Sequence, residues 1–274
     1  MKKIPKLGKE ITIEELKVLQ MDILSAIDEF CCENRIRYSM GCGTMLGAIR
    51  HKGYIPWDDD IDIYMLRNDY EKLIELFPSV YKEFFCISSL ERDESWDKSF
   101  AKAYDNRTIV LERADYDGLF GVNIDIFPID EVPDDEEEWK IYDNQRRILY
   151  KKYAKLLVYV PYSFTLRGTL RWIYRNFPKL FFSRRNMAKK IDTFSKKWRN
   201  QGYSRVFESC QGQLQKRPFD KTIFDDLIDY PFEDRFYKGF ANYDEYLRNG
   251  FGDYMRLPPV EKRVSHHSYR AYWL

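Results

Sequence analysis

Leu16, Leu19, Ile23, Ile27 and Phe30 recur every three or four positions, the spacing that gathers side chains on one face of an α-helix. Thr12 followed three residues later by Glu15 is a capping box, so this helix is predicted to run to about Asn34. The pattern then shortens into strand-like frames at Arg37 to Gly41, Ile61 to Met65, Phe84 to Ser88, Phe100 to Tyr104, Ile109 to Glu112 and Val122 to Phe127, the last ended by Pro128. Gly43-Thr44 turns the first strand into a helix of about two turns ending at Gly53. Asn68 with Glu71 reads as a second capping box, opening a helix that ends near Pro78. Asp130 to Glu138 reads as a solvated acidic turn, and residues 139–200 as mostly helical with breaks at Pro161 and Pro178. Tyr230 to Leu274, rich in Tyr, Phe, Gly and Pro, is expected to wrap as loops and short elements.

Within these frames the acids are out of place. Asp60 and Asp62 stand two apart, so both carboxylates leave one face of the predicted strand, and Asp125 projects from a second apolar frame. Carboxylates held side by side repel one another, and a hard cation between them removes the conflict. Mg²⁺ or Mn²⁺ is the expected ion, and a two-metal site of this kind serves in-line phosphoryl displacement, with the third carboxylate also able to take a hydroxyl proton. Asp58 and Asp59 are read as loop or supporting residues. The Gly43-Thr44 helix start offers backbone N–H groups and a positive dipole end to a phosphate. Arg50 and Lys52 stand just beyond it, either as a phosphate clamp or as a solvated helix end. Lys102, between Ala101 and Ala103, is read as a buried or site-facing lysine, and the remaining candidates are His51, His266 and His267.

Composition bounds the rest. A chain of 274 residues can bury a substantial core, as one mixed domain with a helical annex or as two small domains. Its 45 basic and 44 acidic residues balance, but residues 144–200 hold sixteen Lys or Arg against the single acid Asp192, leaving 29 basic and 43 acidic residues elsewhere. One surface should therefore be strongly positive. A nucleic-acid-binding role for that surface leaves the three acids unexplained and sets an excess of negative charge on the rest of the molecule. The five cysteines are odd in number and show no C-x-x-C pair, so neither a disulfide framework nor a zinc ribbon is signalled, and a reducing cytosol fits. The N-terminus lacks the apolar core of a signal peptide, and the longest uncharged run, Leu156 to Leu166, has eleven residues where a membrane span needs about 20. The chain is thus not expected to cross a membrane. Lys151, Lys152 and Lys155 before an apolar run, and Arg167, Arg171 and Arg175 interleaved with Trp172, Tyr174 and Phe177, read either as an interfacial element meeting anionic headgroups or as an ordinary helical annex.

Three blocks together carry a family resemblance: Gly43 through Ile63 (Gly-Thr-Met-Leu-Gly-Ala-Ile-Arg-His-Lys-Gly-Tyr-Ile-Pro-Trp-Asp-Asp-Asp-Ile-Asp-Ile), Asn123 through Asp130, and Gly252 through Pro259 with Arg263 through Ser268. In these the chain resembles the LicD family, relatives of fukutin and fukutin-related protein within the DNA polymerase β-like nucleotidyltransferases. The superfamily usually has Gly-Ser or Gly-Gly where Gly43-Thr44 stands, and the zinc-binding cysteines of the fukutin-related branch have no counterpart here, so no structural zinc is expected. The resemblance implies an α+β fold, a nucleotidyltransferase-like mixed β-sheet flanked by helices with a basic helical annex. The implied divisions are a catalytic core at 1–138, a basic helical region at 139–229 and a C-terminal segment at 230–274 packing back on the core. It implies transfer of phosphocholine, or a related phospho-alcohol, from CDP-choline or another CDP-alcohol to a sugar hydroxyl of a cell-surface glycan, with CMP leaving. The glycan would be lipopolysaccharide, teichoic acid or capsule, lipid-linked where the annex meets a membrane, and the enzyme cytoplasmic or peripheral on the inner face of the cell membrane. Asp60, Asp62 and Asp125 would hold Mg²⁺ and carry the catalysis, with Gly43, Thr44, Arg50, Lys102 and His267 at the substrate. A nucleotidyltransferase releasing pyrophosphate would use the same carboxylates and is the competing reading.

Overall fold

The computed structural model describes residues 5–81, 83–111, 120–158, 164–177, 182–210, 214–264 and 270–274. The first half holds α1 (Ile13–Asn34), β1 (Ser39–Met40), α2 (Cys42–Arg50), β2 (Asp62–Leu66), α3 (Arg67–Val80), β3 (Phe85–Ser88), β4 (Ala101–Asp105), β5 (Thr108–Leu111) and β6 (Asn123–Val132). Then come α4 (Glu136–Leu157), α5 (Leu166–Asn176), α6 (Arg184–Ser195), β7 (Arg205–Glu208) and β8 (Phe219–Asp220). The chain closes with β9 (Leu227–Phe232), β10 (Arg235–Phe240), α7 (Tyr243–Phe251) and β11 (Arg270–Trp273).

The fold is α+β. A mixed sheet runs β1-β2-β6-β4-β3, with β7 added on β6 and β8 on β7. Its axis is β6, which pairs in parallel with β2 along one edge. Along the other edge β6 pairs antiparallel first with β4 and then with β7. This strand does not stop at Pro128, as the sequence pattern predicts, but continues to Val132. Asp125 donates its N–H toward β2, so by strand alternation the nitrogen of residue 128 faces the opposite edge. On that edge β4 pairing ends at Ile126 and β7 pairing starts at Ile129, so the proline ring meets no ladder partner.

α1 keeps the predicted capping box: Glu15 N–H donates to Thr12 Oγ1 and the Glu15 carboxylate accepts from the Thr12 N–H. Its apolar face, with Ile23, Leu24 and Ile27 fully buried, packs with α3 on the sheet, where the Phe30 ring stands edge-on to Phe77 at 5.4 Å. α3 lacks the predicted box. Its N-cap is Leu66 without a side-chain bond, and Asn68 and Glu71 instead hold Arg199, in the 3-10 turn region that follows α6. Pro78 sits within the last turn of this helix.

The acidic stretch after β6 is divided by burial. Asp130 is no solvated turn residue: it is 2% exposed and forms a fork with Arg67, Nε to Oδ1 at 2.7 Å and a terminal nitrogen to Oδ2 at 2.6 Å. Arg67 also reaches Asp192 at 3.0 Å, tying α3, β6 and α6 together. Asp135 caps α4, accepting from the Glu137 and Glu138 N–H groups. α4 and α6 pack through Tyr153, Leu156, Met187, Ala188 and Ile191. Inside the region 139–229 that the resemblance implies is helical, β7 joins the mixed sheet, and Phe207 packs with Trp139 and Tyr142 of α4. Pro161 and Pro178 lie outside the described residues.

The C-terminal stretch is more regular than its composition predicts. β9 and β10 form a hairpin with a two-residue Glu233-Asp234 turn, and α7 follows. No Gly or Asn marks that turn; Glu233 takes a positive φ of 56°, held by its N–H to the Lys52 carbonyl at 2.8 Å and its carboxylate on the Tyr54 N–H at 2.9 Å. The partners that stabilise it are distant in sequence, which is why local pattern misses it. The hairpin and α7 pack on β1 and α2 and so back the site.

Candidate active site

The geometry starts at the head of α2. Its N-cap Gly41 lies against Tyr64, where any Cβ would meet the ring at 2.7 Å, and its N–H donates to the Asp62 carbonyl. Cys42 takes a positive φ of 44° and donates its N–H to the Tyr246 hydroxyl of α7 at 2.7 Å. This is a left-handed conformation in a non-glycine residue, held by its neighbours at the edge of the cavity. One turn on, the buried Thr44 hydroxyl accepts the Asp62 N–H at 2.8 Å. The first residue of β2 is therefore gripped on both backbone sides by α2. The Thr44 side chain fixes an acid and does not itself face the cavity, while Gly43 lines it and leaves room for the Asp58 carboxylate, 2.8 Å from where a Cβ would stand.

Replacing Thr44 with Val keeps the shape and leaves the Asp62 N–H without its acceptor. Urea denaturation should show a loss of about 1–3 kcal/mol, the cost of orphaning a buried donor. An unchanged midpoint would mean that the bond does not hold β2.

Across the sheet, Asp62 of β2 is registered with Asp125 of β6, and Asp125 with Lys102 of β4. Directly paired positions project to one face, so a cation and two carboxylates stand in a row. Lys102 forms an ion pair with Asp125 and donates to Asn123 Oδ1 at 2.8 Å. Asp60 is not on the strand: β2 begins at Asp62, because the carbonyl of Asp59 is taken by the Gln20 side chain at 2.9 Å and β1 pairs no earlier than Ile63. Asp60 nonetheless lines the same cavity as Asp62 and Asp125, which encloses about 770 Å³. Burial pushes the Asp62 carboxyl well above the usual range, and the charges of Asp60 and Asp125 push it further.

Part of the lining of the same cavity is a basic wall, interrupted by Asp253. Arg50 borders the cavity, donating to His51 Nε2 at 2.9 Å and to the Tyr254 carbonyl at 2.7 Å, so it anchors the C-terminal segment to α2. Burial lowers the Arg50 guanidinium pKa, and the charge of Arg263 adds to this. Burial likewise lowers His51, beside Arg50. Arg256 and Lys262 complete this wall, and Trp57, Phe127, Tyr150, Phe251 and Tyr254 supply aromatic surface. Arg263 lies over the Trp57 ring at 5.6 Å. His266 and His267 lie outside the described residues.

Sequence pattern did not place Gln20, Tyr150, Tyr246, Arg256 or Lys262 at the site. Gln20 had a signal: a buried polar side chain on the apolar face of α1, where it also donates to the Asn123 carbonyl and so joins the Asp60 loop to β6. The others come from α4, α7 and the C-terminal segment, and only packing brings them in.

Among the described residues, no group of three or more His, Cys, Asp or Glu side chains is placed to hold a metal ion by itself. An open set of carboxylates on a cavity wall suits Mg²⁺, which commonly takes one or two carboxylates and completes its shell with water and substrate phosphates. The mutual repulsion around Asp62 is what such an ion relieves.

The family described as LicD/FKTN/FKRP, nucleotidyltransferase domain, matches residues 35–167, which hold all three acids. The lipopolysaccharide cholinephosphotransferase LicD of Haemophilus influenzae is 31% identical over 281 residues, covering 97% of this chain and 100% of that protein. An uncharacterised protein of Rickettsia typhi is 37% identical over 71 residues, 26% of this chain and 23% of its own. A second, from Rickettsia prowazekii, is 33% identical over 81 residues, 29% of this chain and 30% of its own.

Proposed function

This chain belongs to the LicD/FKTN/FKRP family, and from that premise we propose that it transfers phosphocholine, or a related phospho-alcohol, from a CDP-activated donor to a sugar hydroxyl of a cell-surface glycan. The observation that carries the reading is the row Lys102–Asp125–Asp62 across three strands, with Asp62, Asp125 and Asp60 lining a cavity that also holds basic and aromatic side chains. Full-length similarity to a lipopolysaccharide cholinephosphotransferase supports phosphocholine as the headgroup and a glycan as the acceptor class.

The acceptor hydroxyl attacks the phosphorus distal to the cytidine. A new O–P bond forms, the bond from that phosphorus to the bridging oxygen breaks, and CMP leaves with the electron pair. Asp125, oriented by Lys102, receives the hydroxyl proton. Arg50, with Arg256 and Lys262, faces the phosphates across the cavity and offsets the charge gathering on CMP. Asp60, Asp62 and Asp125 would hold Mg²⁺, which when bound would neutralise the diphosphate and lower its repulsion of the nucleophile. The aromatic lining suits a quaternary ammonium group.

Purified protein with CDP-choline, Mg²⁺ and a lipopolysaccharide acceptor should release CMP, and calorimetry should show Mg²⁺-dependent binding of CDP-choline that is tighter than that of CTP. Pyrophosphate release from CTP, with CDP-choline inert, would instead establish nucleotidyl transfer.

A further inference from the structure

The basic region does two different jobs, and the structure separates them. Part of its charge is internal: Arg146 is buried on Asp143, Arg185 donates to the carbonyls of Leu90, Asp93 and Trp96, and Lys196 and Arg199 tether α6 to α3. Other basic residues are turned to solvent: Lys151, Lys152 and Lys155 on α4, Arg167 on α5, and Lys189 and Lys190 on α6.

α5 is built unlike its neighbours. α4 and α6 bury apolar side chains against one another, whereas none of the described side chains of α5 is buried. Leu166, Leu170 and Ile173 follow at four- and three-residue steps and make one stripe, 80%, 59% and 48% exposed, with Tyr174 beside it at 75%. Arg167 is exposed on this helix, and in sequence Arg167, Arg171 and Arg175 recur at four-residue steps. Thr165 caps the start of the helix by accepting the Gly168 N–H at 3.1 Å, so the stripe is presented on a defined helix. A water-facing stripe of Leu and Ile is unfavourable unless something apolar covers it.

We infer that α5 is an interfacial anchor that lies in the surface of an anionic lipid bilayer. The charge around it decides the occupant. Residues 144–200 carry sixteen basic residues and one acid, and a basic amphipathic helix with aliphatic and aromatic residues on its apolar face is what an anionic headgroup layer recognises. A second copy would bring the same positive charge against itself. No helix among the described residues is long and apolar enough to cross a membrane. The anchor also sits near the chemistry along the chain: Tyr150 borders the cavity, and α4 ends seven residues later at Leu157, about 10 Å along its axis. This inference rests on surface charge and exposure and stands independently of the donor assignment.

The full chain and a Leu170→Asp/Ile173→Asp variant are sedimented with phosphatidylglycerol–phosphatidylcholine vesicles and with phosphatidylcholine vesicles, after thermal melts confirm that both fold. Wild type should bind the anionic vesicles and bind the zwitterionic ones about tenfold less, with the double variant losing about tenfold on the anionic ones and high salt weakening wild type. Trp172 emission should shift to the blue when anionic vesicles are added. Equal sedimentation of wild type and variant, or none by wild type, overturns the inference. A wild-type dimer that the variant loses, without vesicle binding, would show that a second copy covers α5, and RNA retention without vesicle binding would assign the charge to nucleic acid.

Discussion

Asp62→Asn should lower the rate of CMP release by about 10³-fold or more, the scale on which deletion of a single transition-state charge-stabilising group acts. The loss should fall on kcat, with the unliganded protein melting no lower than wild type. Both halves follow from the same geometry. The Asp62 backbone is fixed by the Gly41 N–H and the Thr44 hydroxyl, so an asparagine of equal shape stays in place. Its charged carboxylate is disfavoured, first by burial and then by the charges of Asp60 and Asp125, so removing that charge relieves the folded state. Activity and stability should therefore move in opposite directions, or stability should not move. A variant with wild-type turnover, measured as CMP released from CDP-choline, would remove Asp62 from the mechanism. A variant that unfolds would mean that the carboxylate is structural.

Arg67→Met should cost about 3–5 kcal/mol, the range for breaking one partner out of a buried ion pair. The guanidinium is 4% exposed and satisfies both oxygens of the equally buried Asp130 and one oxygen of Asp192. Methionine fills the volume and leaves the buried Asp130 carboxylate without its partner, while Asp192 keeps only Lys196 at 2.8 Å. At about 2–4 °C per kcal/mol for a chain somewhat larger than 150–250 residues, the melting temperature should drop by about 10 °C. Adding Asp130→Asn to the same chain should recover a large part of the loss, because the penalty lies in the orphaned charge rather than in the missing attraction. A loss below about 1 kcal/mol in urea titration would show that the triad is solvated in solution and does not tie α3, β6 and α6.

Local rules carried far where stabilising partners are near in sequence. Thr12 and Glu15 cap α1 as their spacing predicts, because the box closes within one turn. Asn68 and Glu71 have the same spacing and make no box, because Arg199, more than a hundred residues away, offers both side chains a charged partner. Pro128 looks like the end of a strand, yet β6 runs through it, since whether its missing N–H costs anything depends on which strand lies on that edge. The Glu233-Asp234 hairpin has no turn residue because Lys52 and Tyr54 hold it from another part of the chain.

The sequence by itself determined the α+β class, the family, the first helix, and the set of acids whose clustering in apolar frames needed a chemical reason. That information is local: periodicity, caps and the identity of a few residues within a span of about twenty. Packing in three dimensions alone makes Asp62 and Asp125 register partners, pairs Lys102 with Asp125, sets Thr44 on Asp62, and brings Arg50, Arg256, Lys262 and Tyr150 to the cavity that the acids line. It also decided which basic residues of 144–200 are spent inside the protein and which remain at its surface. These are statements about which strand lies beside which and which side chain reaches an opposite charge first. Such pairings join residues tens to hundreds of positions apart, and no repeat along the chain encodes them.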